Sequence, residues 1–319
     1  VRNRLLTLTR IIPRRVTWVD AGVLLFIAFL VYGLTGVASE WRAPLREAVQ
    51  IDLSFWALPK YTFFSLCRGL VAFAISFVFT IAYGYAAARV RGADKVMLPL
   101  LDILQSIPVL GFMPGVVLAL VSVFPRSNVG LELAAVLMIF TGQVWNMTFS
   151  FYHSLRAVPG DLMDAAQVYR FSSWRRLRRV ELPYAATGLV WNGMMSMAGG
   201  WFFLTINEAF RLGDKDFRLP GVGAYMSVAI DHGDVPAMVG AVLAMVGMIV
   251  VVDQLFWRPL VAWSDRFKFE ETGGTPPTSW VLTLLRRSRI IEWLGDLLHR
   301  PARGSRRAAH AASSSAPQS

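Results

Sequence analysis

Six long apolar runs decide what this chain can become. They cover residues 18–38, 62–88, 97–124, 129–151, 186–207 and 236–257. Each reaches the roughly 20 mostly apolar residues that a helix needs to cross the hydrocarbon of a bilayer. Apolar residue types make up 55% of the 319 positions and charged types only 17%, too little polar material to clothe a soluble domain. Inside hydrocarbon a single segment satisfies its backbone hydrogen bonds only as a helix. The expectation is therefore an all-α integral membrane protein with about six transmembrane helices.

Six crossings place both ends of the chain on one side. Of the 32 Lys and Arg residues, 24 fall in 1–17, 89–95, 156–183 and 258–319; 7 fall in 40–60, at Arg126 and in 208–235; Arg68 is the remaining one. Loops rich in Lys and Arg stay on the cytosolic side, which predicts a multi-pass protein of the cytoplasmic membrane with both termini inside. The net charge of +11 follows from that orientation and calls for no nucleic acid. Arg2, Arg4, Arg10, Arg14 and Arg15 precede the first run with no small-residue cleavage site after it, the pattern of an uncleaved anchor.

Catalytic patterns are missing. There is no Gly-x-x-x-x-Gly-Lys-Ser/Thr phosphate loop, no His-Glu-x-x-His and no Gly-x-Ser-x-Gly, the four histidines are scattered, and Cys67 stands alone. No catalytic residue, metal site or cofactor is expected on this chain. Asp231, His232 and Asp234 lie together in an outer loop and read as a solvated turn.

The most informative polar stretch is Arg156–Pro183. Leu162, Ala165, Ala166 and Tyr169 recur at helical spacing after Pro159 and Asp161, which predicts a short amphipathic helix. Ser172 and Ser173 can cap a second helix whose Trp174, Leu177 and Val180 or Glu181 share a face, and Pro183 is expected to close the unit. The order Asp164-Ala165-Ala166, then Arg170, then Val180-x-Leu182-Pro183 resembles the "EAA" loop of the permease subunits of type I binding-protein-dependent ABC importers, and the run from Pro99 to Gly115 resembles the third span of the nitrate, sulfonate and taurine group, which the chain is most like. In that family the loop docks into the cytosolic ATPase. The resemblance assigns Asp164 to the family's Glu, Ala165 and Ala166 to its alanines, Val180 to its Ile, and Leu182 and Pro183 to its Leu-Pro. At the turn where the family has Gly this chain has Arg170, so either the turn avoids a positive φ or the docking geometry differs.

The resemblance covers about residues 61–260. It implies the type I ABC importer permease fold with cytosolic coupling helices, and a non-catalytic subunit. It also implies an ABC ATPase subunit carrying ATP and Mg, a second permease copy or paralogue, and an extracytoplasmic solute-binding protein. Residues 1–60 hold an N-terminal tail, a peripheral first membrane helix and an outer loop. Residues 261–319 form a basic cytosolic tail: a Gly-Pro linker at 273–277, an interfacial amphipathic helix near 279–300 against membrane lipid, and a disordered end. A non-transporting scaffold, or the relic of a fused permease, is the alternative.

Within the runs, Pro99, Pro108, Pro114, Gly111 and Gly115 should bend or interrupt the third helix, as a kinked core element or as a lining of the pathway. Charges inside a membrane are costly, about 2.5–3.5 kcal/mol each on insertion scales. Arg68 and Arg211 could attract an anionic solute, with Trp201, Asn207 and Glu208 near the pathway. The same charges could equally snorkel or pair with one another.

Overall fold

The computed structural model describes residues 18–44, 50–212 and 215–267; the surface helix near 279–300, the linker before it and the disordered end lie outside them. The chain divides into two compact units, one of residues 1–31 and 279–319 and one of 32–278. Of the first, the described part is helical, and Leu24, Leu25, Phe26, Ile27 and Phe29 are exposed, as suits a helix in contact with lipid.

The second unit is a helical bundle. It contains the end of α1 (Trp18–Arg42), α2 (Leu58–Arg89), α3 (Asp94–Ser106), α4 (Val109–Val123), α5 (Val129–Arg156), α6 (Gly160–Val168), α7 (Ser173–Arg176), α8 (Leu182–Glu208), α9 (Val222–His232), α10 (Val235–Val252) and α11 (Arg258–Ser264). A two-residue antiparallel hairpin, β1 (Arg211–Leu212) with β2 (Lys215–Asp216), interrupts the helices between α8 and α9.

The central element is α5. Its Ile139, Val144, Met147 and Phe151 are fully buried, and it packs against α2 on one side and α8 on the other. Close approach depends on small residues, since lipid offers no hydrophobic drive for helices to associate. A Cβ on Gly84 of α2 would stand 2.8 Å from the Phe151 ring, and one on Gly142 of α5 would stand 2.3 Å from the Phe203 ring of α8. Phe63 and Phe64 of α2 meet α1 in the same way at Gly33 and Gly36.

Among the described residues four helices are long and apolar enough to cross a membrane, or five if α3 and α4 count as one broken span; six are not reached by this criterion. The missing one is α8. Its 27 residues reach about 40 Å at 1.5 Å per residue, but Asn192, Asn207, two threonines and its glycines dilute its hydropathy. α3 and α4 meet at 91° across Ile107 and Pro108, because proline cannot donate to the helix ladder and disfavours helical backbone in the residue before it.

The packing makes a direct prediction. Gly84→Ala drives a methyl group into Phe151 and should lower stability by about 1–3 kcal/mol, whereas Gly115→Ala, with no atom within 4 Å of the new Cβ, should leave it unchanged. Thermal midpoints of the detergent-purified proteins measure the contrast.

Candidate functional site

The polar loop is built as two turns of backbone logic. α6 starts after Pro159 and ends in a left-handed turn in which the Arg170 N–H donates to Gln167 O (2.8 Å) and the Phe171 N–H to Ala166 O (2.9 Å). That pair of bonds defines a Schellman C-cap, and the residue after its cap is the one that favours glycine. Arg170 occupies it with φ 49°, the one positive φ at a non-glycine among the described residues. The chain thus keeps the backbone that glycine would give, and of the two alternatives for this turn the one that avoids a positive φ is ruled out. The Arg170 side chain is left exposed.

Ser172 then caps α7, accepting from the Arg175 N–H at 3.4 Å. Pro183 does not close the unit. α7 continues through a π turn, Leu177–Glu181, directly into α8, with the Leu182 N–H donating to Leu177 O. The wide turn moves the carbonyls that the proline ring would otherwise strike, a known use of π geometry. Leu177 and Glu181 face inward while Trp174 points out at 69% exposure, so Trp174 does not share their buried face. Asp164 and Ala165 are exposed, Ala166 is buried, and Val180, Leu182 and Pro183 are half-buried. Val168 and Tyr169 are 80% and 72% exposed. The loop therefore presents three large apolar side chains to water beside Arg170, Arg175, Arg178 and Arg179.

Two buried charge clusters lie at opposite ends of α2. At the end far from the loop, Arg68 forks onto Glu132 of α5 (Nε–Oε2 2.6 Å, Nη2–Oε1 2.7 Å) and reaches Glu208 of α8 (Nη1–Oε1 2.6 Å) and Pro220 O (2.9 Å). Glu208 also accepts from the Ser65 hydroxyl (2.7 Å) and the Gly223 N–H (2.8 Å), and Ser65 accepts from the Val222 N–H. All four side chains are within 2% of complete burial. The Pro220-Gly-Val-Gly223 stretch wraps the Glu208 carboxylate, and a Cβ on Gly221 would fall 2.2 Å from its carbon. At the loop end, Arg89 sits 2.9 Å and Arg176 3.2 Å from the fully buried Glu181 Oε1, and Arg89 donates to Leu155 O at 2.8 Å. Sequence reading missed this cluster, although Arg89 and Glu181 flank long uncharged runs in α2 and α8.

The candidate pathway residues separate. Arg68 and Glu208 spend their hydrogen-bonding capacity on each other and on the chain. Trp201 is 9% exposed and packs on Gly69, and Asn207 is buried and donates to Phe203 O at 2.6 Å. In this structure all four are buried against the chain itself. Arg211 alone is exposed. It belongs to a surface network in which Arg211 and Arg218 both pair with Asp216 and Asp231. Loss of hydration raises the Asp216 carboxyl above its usual range, the Arg211 charge opposes that, and Asp231 adds to it. Arg258 pairs with Asp253 at 3.2 Å. Among the described residues no group of three His, Cys, Asp or Glu could hold a metal ion.

The fold is a helical membrane bundle with one broken span and a capped loop ahead of a membrane helix. The chain belongs to the family of binding-protein-dependent transport system inner membrane components, which matches residues 80–256. It is 26% identical over 214 residues to the bicarbonate transport system permease protein CmpB of Synechococcus elongatus, covering 67% of this chain and 69% of that one. It is 30% identical over 169 residues to a probable ABC transporter permease of Haemophilus influenzae (51% and 64%), and 23% identical over 256 residues to the glycine betaine/carnitine transport permease GbuB of Listeria monocytogenes (72% and 78%). In three dimensions it resembles a chain of the inward-facing MetNI methionine ABC transporter, with TM-score 0.55 and 15% identity over 69% of this chain and all of that one. It shares the type I ABC importer permease fold.

Two outcomes follow from the site. Arg68→Leu strands two buried carboxylates and should cost about 3–5 kcal/mol; Arg68→Leu with Glu132→Leu leaves Glu208 its Ser65 and Gly223 partners and should cost less, as read by thermal midpoint. Arg170→Gly relieves left-handed strain of about 1 kcal/mol and should raise the midpoint slightly.

Proposed function

We propose that this chain forms the solute pathway of an ATP-driven importer and couples it to a separate ATPase through residues 156–183. The observation that carries this is the exposed apolar face of the loop, Val168, Tyr169 and Trp174. Large apolar side chains in water, ringed by arginines, mark a protein interface, and Trp, Tyr and Arg are the residue types that dominate binding energy there. Anionic lipid would attract the arginines but repel the exposed Asp164 of the same loop.

In this reading ATP and Mg bind the partner ATPase, whose closure displaces α6 and α7. Two coupling loops serve two ATPase subunits, so the chain pairs with a second copy or a paralogue, and an extracytoplasmic binding protein delivers a small solute. The loop faces the cytosol, and both termini lie on that side, in accord with the 24 to 7 distribution of basic residues. Relatives named for bicarbonate, glycine betaine and carnitine differ in charge, so solute identity resides in the binding protein and in the details of the pathway.

Affinity purification of the tagged chain tests the reading. Wild type should bring an ABC ATPase with it. Asp164→Lys, at an exposed position, should lose the ATPase at an unchanged thermal midpoint. Ala166→Leu, at a buried one, should lose both. Absence of any ATPase from wild-type preparations would remove the coupling.

A further inference from the structure

The geometry points to Glu181 as the residue that passes loop movement to α2 and α5; this rests on the coupling reading above. Glu181 is fully buried in the π turn where the loop becomes α8. Two arginines reach it, and one of them also holds the end of a third helix. Arg89 is the last residue of α2, Arg176 belongs to α7, Leu155 lends a carbonyl from the last turn of α5, and Glu181 itself opens α8. The Leu155 carbonyl lies in a helix end that has no intrahelical donor for it, so Arg89 ties the ends of two membrane helices to one carboxylate.

The bonds here differ in kind from those at the other end of α2. Arg68 makes short, aligned hydrogen bonds to Glu132 and Glu208. The Nε atoms of Arg89 and Arg176 stand close to Glu181 without hydrogen-bond alignment, and Glu181 Oε2 has no hydrogen-bond partner among the described residues. Charge attraction falls off gently with angle whereas a hydrogen bond weakens steeply, so this cluster holds its members together while allowing them to turn. A carboxylate with one arginine on the loop and one on a membrane helix keeps both attached as the loop moves, and its unpaired oxygen can accept whichever guanidinium swings toward it. Glu181, fully buried within the chain, is thus a positioning residue.

Hydrogen–deuterium exchange tests the assignment on the full chain with its co-purified ATPase in lipid nanodiscs, with and without magnesium and a non-hydrolysable ATP analogue. In wild type, nucleotide should change exchange both in the loop, residues 158–180, and in the ends of α2 and α5. In Glu181→Gln the loop should still respond while the α2 and α5 ends lose their response; a merely structural residue would not split the two. Retention of both responses overturns the inference, and so does loss of both, which would make Glu181 a support for docking. If Glu181→Gln fails to fold, Glu181→Gln with Arg89→Gln removes both charges of the tie. A preserved α2 and α5 response there, or failure to fold, likewise overturns it. A wild-type loop that ignores nucleotide refutes the coupling reading instead, independently of Glu181.

Discussion

A buried guanidinium shared by two carboxylates fixes this bundle. Arg68 could not remain in a membrane interior as a lone charge, and each of its donors is answered by an element distant in sequence: Glu132 opens α5, Glu208 closes α8, and Pro220 leads into α9. Removing one member would leave the others charged and without water, which makes the arrangement all-or-none. Such a cluster specifies which helices are neighbours and at what height. Apolar packing between lipid-immersed helices does this poorly, because a leucine facing lipid and one facing protein differ little in free energy.

Height is the second consequence. Arg68 and Arg89 are twenty-one positions apart on one helix, about 31 Å at 1.5 Å per residue, close to the roughly 30 Å hydrocarbon core. No charged residue stands between them, between Glu132 and Arg156 on α5, or between Glu181 and Glu208 on α8. The three central helices thus carry their charges in two layers a membrane apart. The layers are built differently. The far layer is locked by aligned hydrogen bonds and a glycine-lined wrap, while the loop layer joins a π turn, a strained Arg170 and unaligned ion pairs. A bundle held stiffly at one end and compliantly at the other can pivot about the stiff end.

How much of this the sequence disclosed depends on the range of the interaction. Local signals were legible: Ser172 as a cap, Pro159 before α6, and Pro108, which breaks α3 from α4, all act within a few residues, whereas Pro99 and Pro114 sit inside those helices. The two short helices expected between Pro159 and Pro183 are present as α6 and α7, joined by a left-handed turn. Long-range partners were not legible. Arg68 meets Glu132 across 64 positions and Glu208 across 140, and nothing local distinguishes a paired charge from one that faces a pathway. Burial misled in the same way. Helical spacing grouped Trp174 with Leu177 and Glu181, but Trp174 lies in the short α7 ahead of the π turn and is 69% exposed, while Leu177 and Glu181 are buried. The membrane count was also underdetermined, since α8 carries polar and glycine residues that packing against α2 and α5 requires and that lower its apolar character.

The break at Ile107 and Pro108 places a demand on whatever surrounds this chain. Asp102, Gln105, Ser106 and the two residues of the break are all exposed on the single chain, yet irregular backbone and polar side chains at membrane depth are tolerated only against protein or a water-filled cavity. The Gln105 amide donates to Asp102 Oδ1, the Ser106 hydroxyl to Asp102 O and the Ile107 N–H to Leu104 O, which leaves the exposed Asp102 carboxyl as the group lipid answers least well. α8 presents a second open stripe, Trp191, Met195, Ala198, Gly199 and Phe202, at the i, i+4, i+7, i+8, i+11 spacing of one helix face. A lone subunit would leave its broken backbone to hydrocarbon. Pairing around an aqueous path would cover the break with protein and water. That requirement arises from this chain's own backbone, independently of its relatives, and the proposed pairing with a second permease subunit is one way to meet it.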